Sequence, residues 1–388
     1  MKVSPVLSEM RTYPFLRLNE AKRGLAERGV PIVDFGIGEP REETPMFIRE
    51  ALVAALEPLS TYPLADGLPE LRAAVAAWIA RRFGVTLDPD SEVIPTMGSK
   101  EAIFHLAQVV DGELVAVTTP GYPVAERGAL FAGKSVVELP LLHENGFLPD
   151  LDAVEPATWE RLALLWLNYP NNPTAATAPP EFFEHAAALA REHDFLLACD
   201  EAYSELYFGS EAPGSVLQVA DRRNVIALNT LSKRSSMPGY RSGFVAGDPE
   251  AIAALKHYRP NVGVAPQEFI QRAAVAAWGD EDHVEVVRAI YRAKRDVILP
   301  VLEAGGLEHV GGDATFFLWL HAGERADALA QGLLERGVVL APGSFFGPAG
   351  EGYLRLALVP TLEQCEHAAG LLASVVGVQD GVESGPAA

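Results

Sequence analysis

The sequence predicts an α/β protein in which a mostly parallel sheet is flanked by helices, together with a smaller α+β domain. Apolar strand-like runs alternate with helical patterns through the first two thirds of the chain, which is typical of parallel sheets. From Glu281 onwards, a long helical pattern leads into short strands. We therefore predict a large domain over 41–280, a small domain formed by 1–40 and 281–378, and a flexible tail over 379–388.

The elements follow in order from their local patterns. Residues 1–40 look irregular, apart from a short strand that breaks at Gly36 and Gly38. Pro69 suits the first turn of a helix, and Thr361 suits the N-cap of the last helix. Helices are predicted at 46–56, 69–83, 100–110, 124–131, 180–193, 281–302, 326–336 and 362–375. Strands are predicted at 92–96, 114–118, 135–141, 162–167, 195–199, 225–228, 242–246, 315–320, 338–341 and 353–358.

Composition narrows the functional classes. The 388 residues carry a formal net charge of -21, which argues against a nucleic-acid partner because phosphate-binding surfaces need a basic patch. No apolar run approaches the roughly 18 residues of a membrane span, and the N-terminus lacks a signal-peptide core, so we expect a cytoplasmic protein. Cys199 and Cys365 are the only cysteines, too few for a disulfide framework, and no metal site is predicted.

One lysine lies where an α/β sheet binds ligands. Lys233 stands in a small-residue turn after the apolar run 225–228, and Pro238 and Gly239 prevent that segment from continuing as a strand. Open α/β sheets bind ligands at the carboxyl ends of their strands. A lysine there can form a Schiff base with an aldehyde cofactor if its surroundings keep part of it neutral. From this stretch alone, a solvated basic turn is an equally good interpretation.

Two other strand ends offer small residues and an aromatic ring. Gly98, Ser99 and Lys100 form a turn into a helix, where backbone N–H groups could bind an anion. Tyr122 stands in a frame of proline and glycine that would fix its ring over the strand ends. Taken singly, a helix cap and a packing tyrosine explain these residues as well as a ligand site does.

Two further strand ends offer amides and acids. Asn172 lies between two prolines, which would hold its side chain rigidly. An acid that follows a buried strand needs a positive partner, so either Asp200 or Glu201 should have one. Tyr203 would lie on the same side as Asp200 if a helical turn begins there.

Together, these strand ends contain the groups that a pyridoxal 5′-phosphate site requires. That cofactor is an electron sink whose ring nitrogen must stay protonated and whose aldehyde must be held as an imine. Arg241 and Thr230 would add a charge and a hydroxyl at the phosphate end. Arg355 interrupts an otherwise apolar strand, and a bidentate pair with a substrate carboxylate would give it a partner. The alternative for Arg355 is a structural salt bridge.

The chain resembles the class I and II aminotransferases, which are pyridoxal-phosphate enzymes of fold type I, over about residues 10–375. The motifs Asn-Asn-Pro-Thr, Asp-Glu-Ala-Tyr and Leu-Ser-Lys-Arg, followed by Gly-Tyr-Arg, occur in the family's order and spacing. The resemblance implies that Lys233 forms the Schiff base and that Asp200 pairs with the pyridine nitrogen. It further implies that the ring oxygen is held by Asn172 and Tyr203, the phosphate by Gly98, Ser99, Lys100, Thr230, Ser232 and Arg241, the ring by Tyr122, and the substrate by Gly38, Asn172 and Arg355.

The family also forms homodimers in which a tyrosine of the neighbouring subunit reaches the phosphate. Tyr62 stands at the matching position, so the resemblance implies a homodimer with a shared active site. Ala175 departs from the family, which usually has glycine after Asn-Pro-Thr. A methyl group there would shift the turn that carries Asn172.

The segments 232–247, 258–267 and 312–319 are similar to the N-succinyldiaminopimelate aminotransferases of bacterial lysine biosynthesis. That similarity implies ping-pong transfer between glutamate and N-succinyl-2-amino-6-oxopimelate, with a second cation from among Lys100, Arg234 and Arg259. The alternatives are an aminotransferase for aspartate, LL-diaminopimelate, alanine or aromatic substrates, and a pyridoxal-phosphate lyase that cleaves a carbon–sulfur bond. A transcription regulator with an aminotransferase-like domain is a further alternative outside enzymes.

Overall fold

A seven-stranded sheet lies at the centre of the computed structural model, which describes residues 1–9 and 15–376. The predicted tail over 379–388 lies outside the described residues. The strands are β1 (Val33–Asp34), β2 (Val93–Thr96), β3 (Leu114–Thr119), β4 (Ser135–Pro140), β5 (Leu162–Asn168), β6 (Leu196–Asp200), β7 (Val225–Thr230), β8 (Gly243–Gly247), β9 (Glu308–His309), β10 (Phe317–His321), β11 (Val338–Val339), β12 (Ala341–Pro342) and β13 (Tyr353–Ala357). The helices are α1 (Pro5–Glu9), α2 (Phe15–Glu27), α3 (Met46–Ala54), α4 (Pro69–Phe83), α5 (Ser99–His105), α6 (Val124–Phe131), α7 (Pro156–Trp159), α8 (Pro180–Glu192), α9 (Leu231–Arg234), α10 (Pro249–Tyr258), α11 (Glu268–Gly279), α12 (Asp282–Ala304), α13 (Ala326–Glu335) and α14 (Leu362–Val376).

The central sheet has the strand order β2-β8-β7-β6-β5-β3-β4, and β8 is its antiparallel member. The other six strands run in one direction, so their carboxyl ends meet at one edge. Strand β8 begins at that same edge, because Gly243 pairs with both Thr96 and Thr230. The predicted α/β fold with a mostly parallel sheet is confirmed.

Both faces of this sheet are apolar, which is why its central strands β5, β6, β7 and β8 are mostly apolar rather than alternating with polar residues. Neighbouring residues of one strand enter different hydrophobic clusters: Leu164 and Ile226 belong to one, and Leu165 and Ala227 to the other. The second cluster includes three large rings, with Phe244 centred 6.0 Å from Trp78 and 5.2 Å from Trp278. These rings connect β8 to α4 and α11.

A second, antiparallel sheet has the order β12-β13-β10-β9 and packs with α12, α13 and α14 around its own hydrophobic cluster. Strand β1 pairs in parallel with β11, so the N-terminal segment adds Val33 and Phe35 to that cluster. The boundaries proposed for the two domains stay a prediction. Within the described ranges, no helix combines the length and the apolarity that crossing a bilayer requires.

Six of the described α-helices were not predicted, namely α1, α2, α7, α9, α10 and α11. Helix α2 lies in the segment expected to be irregular, where Leu18 and Leu25 are buried two turns apart. The sequence does contain a signal for α10, because Asp248 is a typical N-cap residue. It accepts hydrogen bonds from the N–H groups of Glu250 (2.7 Å) and Ala251 (3.0 Å).

The ring of Phe244 gives a test of this packing. We expect Phe244→Ala to lower the free energy of unfolding by about 3–5 kcal/mol, because it leaves a cavity between two tryptophans. Chemical denaturation of the cofactor-free chain measures this change. The control Phe131→Ala removes a ring that is 41% exposed and should cost much less. Equal losses from both variants would contradict this account of the core.

Candidate active site

A cavity of about 630 Å³ lies at the carboxyl edge of the central sheet. Residues from both sheets line it, so it is closed on one side by strand ends and on the other by β10 and β13. Most of the predicted site residues contribute to this lining, namely Gly38, Ser99, Lys100, Tyr122, Asn172, Asp200, Tyr203, Thr230, Ser232, Lys233, Arg241 and Arg355. The structure therefore brings these residues together, although their roles stay predictions.

Lys233 projects from the short helix α9, which begins directly after β7. Thr230 caps this helix by accepting a hydrogen bond from the N–H of Ser232 at 3.2 Å. The Nζ atom of Lys233 donates to the carbonyl oxygen of Gly38 at 2.7 Å and lies 5.4 Å from the ring centroid of Phe316. Burial, followed by the nearby Arg355 guanidinium, lowers the pKa of Lys233 to about 8. Part of this amine is consequently neutral near neutral pH.

Asp200 ends β6 and faces the same cavity. Its Oδ1 atom accepts a hydrogen bond from the N–H of Ala202 at 3.3 Å. Among the residues that the structure describes, the Asp200 carboxylate forms no ion pair within 4.0 Å. Burial raises the pKa of the Asp200 carboxyl to about 7. A cation in the cavity would favour the ionised form. Asp200 is therefore well suited to receive a protonated ring nitrogen.

Glu201 points away from the cavity. Its Oε1 atom accepts hydrogen bonds from the Ser215 hydroxyl at 2.9 Å and from the Val216 N–H at 2.7 Å. Burial raises the pKa of the Glu201 carboxyl to about 8. Of the two acids that the sequence left open, Asp200 is the one in a position to meet a ligand.

Arg355 and Asn172 form a hydrogen-bonded pair on the cavity wall. The Nη1 atom of Arg355 donates to Oδ1 of Asn172 at 2.9 Å, and Nη2 donates to the carbonyl of Gly36 at 2.6 Å. The guanidinium carbon lies 4.4 Å from the ring centroids of both Phe317 and Phe346. The side chain is thus held by two neutral acceptors and two aromatic faces, in a buried position on β13.

Ala175 lies in the turn that carries Asn172, at a position where the backbone conformation favours glycine. Ala175 has φ 61°, the left-handed region in which a side chain is strained. Its N–H still donates to the carbonyl of Asn171 at 2.9 Å. Asn172 is held independently, because its N–H donates to Oδ1 of Asn168 at 2.9 Å. The methyl group is accommodated without displacing Asn172 from Arg355.

The end of the cavity beside α5 is cationic and tightly packed. Gly98 has φ 72°, and a Cβ atom there would lie 2.7 Å from Nη2 of Arg241. Arg241 itself donates to the carbonyls of Pro238 at 2.9 Å and Met97 at 3.4 Å. A glycine is therefore needed for the arginine to lie against the helix start. This arrangement can bind an anion.

Two hydroxyls near this end form hydrogen bonds within the protein. The Oγ1 atom of Thr230 donates to the carbonyl of Ser242 at 2.9 Å and lies 2.9 Å from Oγ of Ser232. Because Thr230 has one hydroxyl proton, Ser232 is then the donor between the two hydroxyls. Binding a phosphate through either hydroxyl would require this pair to rearrange.

The residues present fit pyridoxal 5′-phosphate. The lining contains four cationic side chains, Lys100, Lys233, Arg241 and Arg355, and two acids, Glu39 and Asp200. This excess of positive charge suits a ligand set with a phosphate and a carboxylate. The glycine at position 98 leaves space for the Arg241 guanidinium, and Asp200 is a partly buried acid that could meet a protonated ring nitrogen.

Some expected residues lie elsewhere. Arg234 donates to the carbonyl of Ala277 and to Glu281, and Arg259 donates to the carbonyls of Ala65 and Pro95. Both arginines are buried away from the cavity, so they have structural partners and do not line the site. Of the three candidates for the second cation, Lys100 is the one that lines the cavity.

Two other predicted residues do not line the cavity of this chain. Gly98 lies behind Arg241, and Tyr62 is 99% exposed. Conversely, the cavity has lining residues that sequence reasoning did not propose, namely Asn19, Glu39, Phe317, Phe345 and Phe346. Asn19 belongs to the unpredicted helix α2, and Phe317 lies in the segment 312–319, which was noted for its family resemblance and not as part of the site.

Comparisons with known proteins give the family of this chain. Residues 30–372 match the family model for aminotransferase class I and II. An LL-diaminopimelate aminotransferase of Nitratidesulfovibrio vulgaris is 40% identical over 96% of this chain and 99% of its own length. An aminotransferase structure from Neisseria meningitidis has a TM-score of 0.91 and 35% identity, covering 97% of this chain and all of that one. A Thermus thermophilus structure, described as a probable N-succinyldiaminopimelate aminotransferase, has a TM-score of 0.85 and 34% identity over 93% and 99% of the two chains.

The chain belongs to the class I and II aminotransferases. This family has fold type I and depends on pyridoxal 5′-phosphate, so the predicted cofactor is confirmed at the level of the family. Its members act on amino acids and keto acids.

The raised pKa of Asp200 predicts an unusual pH dependence in the cofactor-free chain. The folded carboxyl binds a proton up to about pH 7 and the unfolded one only up to about pH 4, so stability falls as pH rises between these values. Asp200→Asn removes this loss. The difference in unfolding free energy between this variant and the parent chain should therefore grow by about 3 kcal/mol from about pH 5 to about pH 8, in favour of the variant. Chemical denaturation at a series of pH values measures it.

The control for this experiment is Asp152→Asn, since the Asp152 side chain is 85% exposed. That variant should follow the parent chain at every pH. If Asp200→Asn also has the stability of the parent chain at every pH, the pKa of the Asp200 carboxyl is not raised as stated.

Proposed function

We propose that this aminotransferase transfers the amino group of LL-diaminopimelate to a 2-oxo acid, and catalyses the reverse reaction, in diaminopimelate and lysine biosynthesis. The observation that carries the chemistry is the shared cavity, in which Lys233, Asp200 and Arg355 face one space. The substrate rests on the similarity to an LL-diaminopimelate aminotransferase across nearly the whole chain. This similarity supports the alternative substrate better than the N-succinyl compound that the sequence motifs favoured.

N-succinyldiaminopimelate and its keto acid are the second candidate pair. The Thermus thermophilus structure described with that activity supports them. Both candidates are diaminopimelate derivatives that carry more than one carboxylate. Both would therefore use the cationic lining of the cavity, with Lys100 as the second cation proposed beside Arg355.

Lys233 is proposed to act as both anchor and proton carrier. Bound pyridoxal 5′-phosphate supplies an electron sink that makes the α-carbon proton of the amino acid removable. The Lys233 amine would take that proton and return it to the cofactor side, and its lowered pKa of about 8 keeps part of it neutral for this step. Asp200 would hold the ring nitrogen, and Tyr203 with Asn172 would hold the ring oxygen.

The remaining lining residues are proposed to position the two ligands. Arg355 would bind the α-carboxylate through its planar fork, while Gly38 lines the substrate side of the cavity. The phosphate would be held by Ser99, Lys100, Thr230, Ser232 and Arg241, with Gly98 leaving space for the Arg241 guanidinium and Tyr122 against the ring.

A second subunit is proposed to complete the site. Tyr62 is 99% exposed, and Leu59 and Leu64, which lie on either side of it in the sequence, are 77% and 70% exposed. Exposed apolar side chains in one stretch of chain are typical of an interaction surface. A homodimer would bury it and could bring Tyr62 to the phosphate of the neighbouring subunit.

A substrate panel tests the proposed function. The holoenzyme is given LL-diaminopimelate, N-succinyl-LL-diaminopimelate, aspartate, alanine or phenylalanine with 2-oxoglutarate, and glutamate formation is followed. We expect the largest kcat/KM with LL-diaminopimelate and no measurable turnover in Lys233→Ala, which should keep the fold. Parent-like turnover by Lys233→Ala would overturn its role, and a preference for the succinyl compound would select the second candidate.

The same panel addresses lyase chemistry. Cystathionine is incubated with the holoenzyme without any keto acid. A transaminase should release no pyruvate under these conditions, whereas a carbon–sulfur lyase would release it continuously.

Replacing Arg355 by lysine tests carboxylate binding. Lysine keeps the charge but lacks the planar fork, so we expect Arg355→Lys to raise KM for the amino donor roughly tenfold or more. Steady-state kinetics measure this effect. The control Arg161→Lys, at a side chain that is 57% exposed, should leave KM unchanged. An unchanged KM in Arg355→Lys would point to a structural role for this arginine.

A further inference from the structure

The backbone segment 36–42 contacts both side chains that are proposed to act on substrate. The carbonyl of Gly36 accepts a hydrogen bond from Nη2 of Arg355 at 2.6 Å. Two residues later, the carbonyl of Gly38 accepts from Nζ of Lys233 at 2.7 Å. The position of this one segment therefore sets where the amine and the guanidinium stand relative to each other.

The first end of the segment is fixed by an acid. The N–H of Gly36 donates to Oδ1 of Asp34 at 2.8 Å, and Lys22 donates to Oδ2 of the same carboxylate at 2.8 Å. A Cβ atom at Gly38 would lie 2.7 Å from the ring of Phe317, so the segment also packs tightly against β10.

The second end is fixed by Glu42, which binds two residues of α12. The Tyr291 hydroxyl donates to Oε2 of Glu42 at 2.7 Å, and the ammonium of Lys294 donates to Oε1. The side chains of Lys294 and Glu42 are only 2% and 10% exposed. Tyr291 and Lys294 are three residues apart, so they present their polar groups on one face of the helix.

Glu42 lies in a loop and carries the negative charge that pairs with the buried ammonium of Lys294. Removing one partner of such a pair leaves the other uncompensated, which is far more costly than losing an exposed pair. Tyr291 extends the contact inward, because its ring lies 5.2 Å from that of Phe316, and the Phe316 ring lies 5.4 Å from Nζ of Lys233.

We propose that Glu42 is a positioning residue for transamination: by joining the segment 36–42 to α12, it holds the acceptors that orient Lys233 and Arg355. The inference rests on the roles proposed above for those two residues. Without the Glu42 anchor, the carbonyls of Gly36 and Gly38 lose their fixed separation. Both proton transfer and carboxylate binding should then suffer together.

The test is Glu42→Gln, with Glu43→Gln as the matched control on the same loop. Glu43 pairs with Arg49 at 3.3 Å, and its side chain is 86% exposed. The holoenzymes are compared by kcat and by KM for the amino donor, with active sites counted from bound cofactor. We expect Glu42→Gln to lower kcat per active site and to raise KM, each roughly tenfold, since small misplacements of reacting groups have large effects on rate. Glu43→Gln should match the parent enzyme.

A merely structural role would give a different result. A destabilised but correctly arranged enzyme would have fewer active sites, with parent kcat per site and parent KM. That outcome for Glu42→Gln would overturn the proposal. Lys233→Ala separates this failure from failure of the proposed function, because turnover by that variant would remove Lys233 itself from the mechanism.

A milder variant covers the case in which Glu42→Gln does not fold. Tyr291→Phe keeps the ion pair and removes one hydrogen bond to Glu42. It should raise KM and lower kcat in the same direction, by roughly two- to fivefold. Amide hydrogen exchange in residues 36–44 of the cofactor-free chain should also become faster than in the parent. Parent-like kinetics together with parent-like exchange would overturn the proposal.

Discussion

The structure depends on the partial burial of an amine and a carboxyl at one edge of a sheet. Lys233 and Asp200 are both partly buried at the cavity, and burial moves the pKa values of the two groups toward each other, to about 8 and about 7. Desolvation penalises the charged form of each group, so both become able to exchange protons near neutral pH. The surrounding apolar strands and rings produce this effect, which makes the core of the protein part of its chemistry.

The sheet topology turns this condition into a site. Six strands run in one direction, so the polar residues that follow them gather at a single edge, and the antiparallel β8 starts there. That reversal brings Arg241, just before β8, against Gly98, just after β2. The second sheet contributes Arg355 from the opposite wall. Charges that are far apart in sequence thus face one cavity.

Sequence reasoning found the features that depend on local pattern. Lys233 and Asp200 could be placed because each follows an apolar strand of a parallel sheet. The choice between Asp200 and Glu201 required the actual direction of two adjacent side chains at a strand end. Asn19 could not be found, because its place in the cavity depends on how α2 packs onto the rest of the protein. Arg234 and Arg259 were misleading for a similar reason: a buried arginine that binds backbone carbonyls has the same sequence appearance as one that binds a ligand.

Arg355 is already ordered before a substrate arrives. Two aromatic faces and two oxygen acceptors restrict a side chain whose immobilisation would otherwise cost up to about 2 kcal/mol at the moment of binding. An incoming ligand therefore meets a guanidinium of fixed orientation, and it must approach along the direction that remains open. Such preorganisation favours discrimination by shape over adaptation. The carboxylate that we propose to bind there must therefore meet the guanidinium in one fixed geometry.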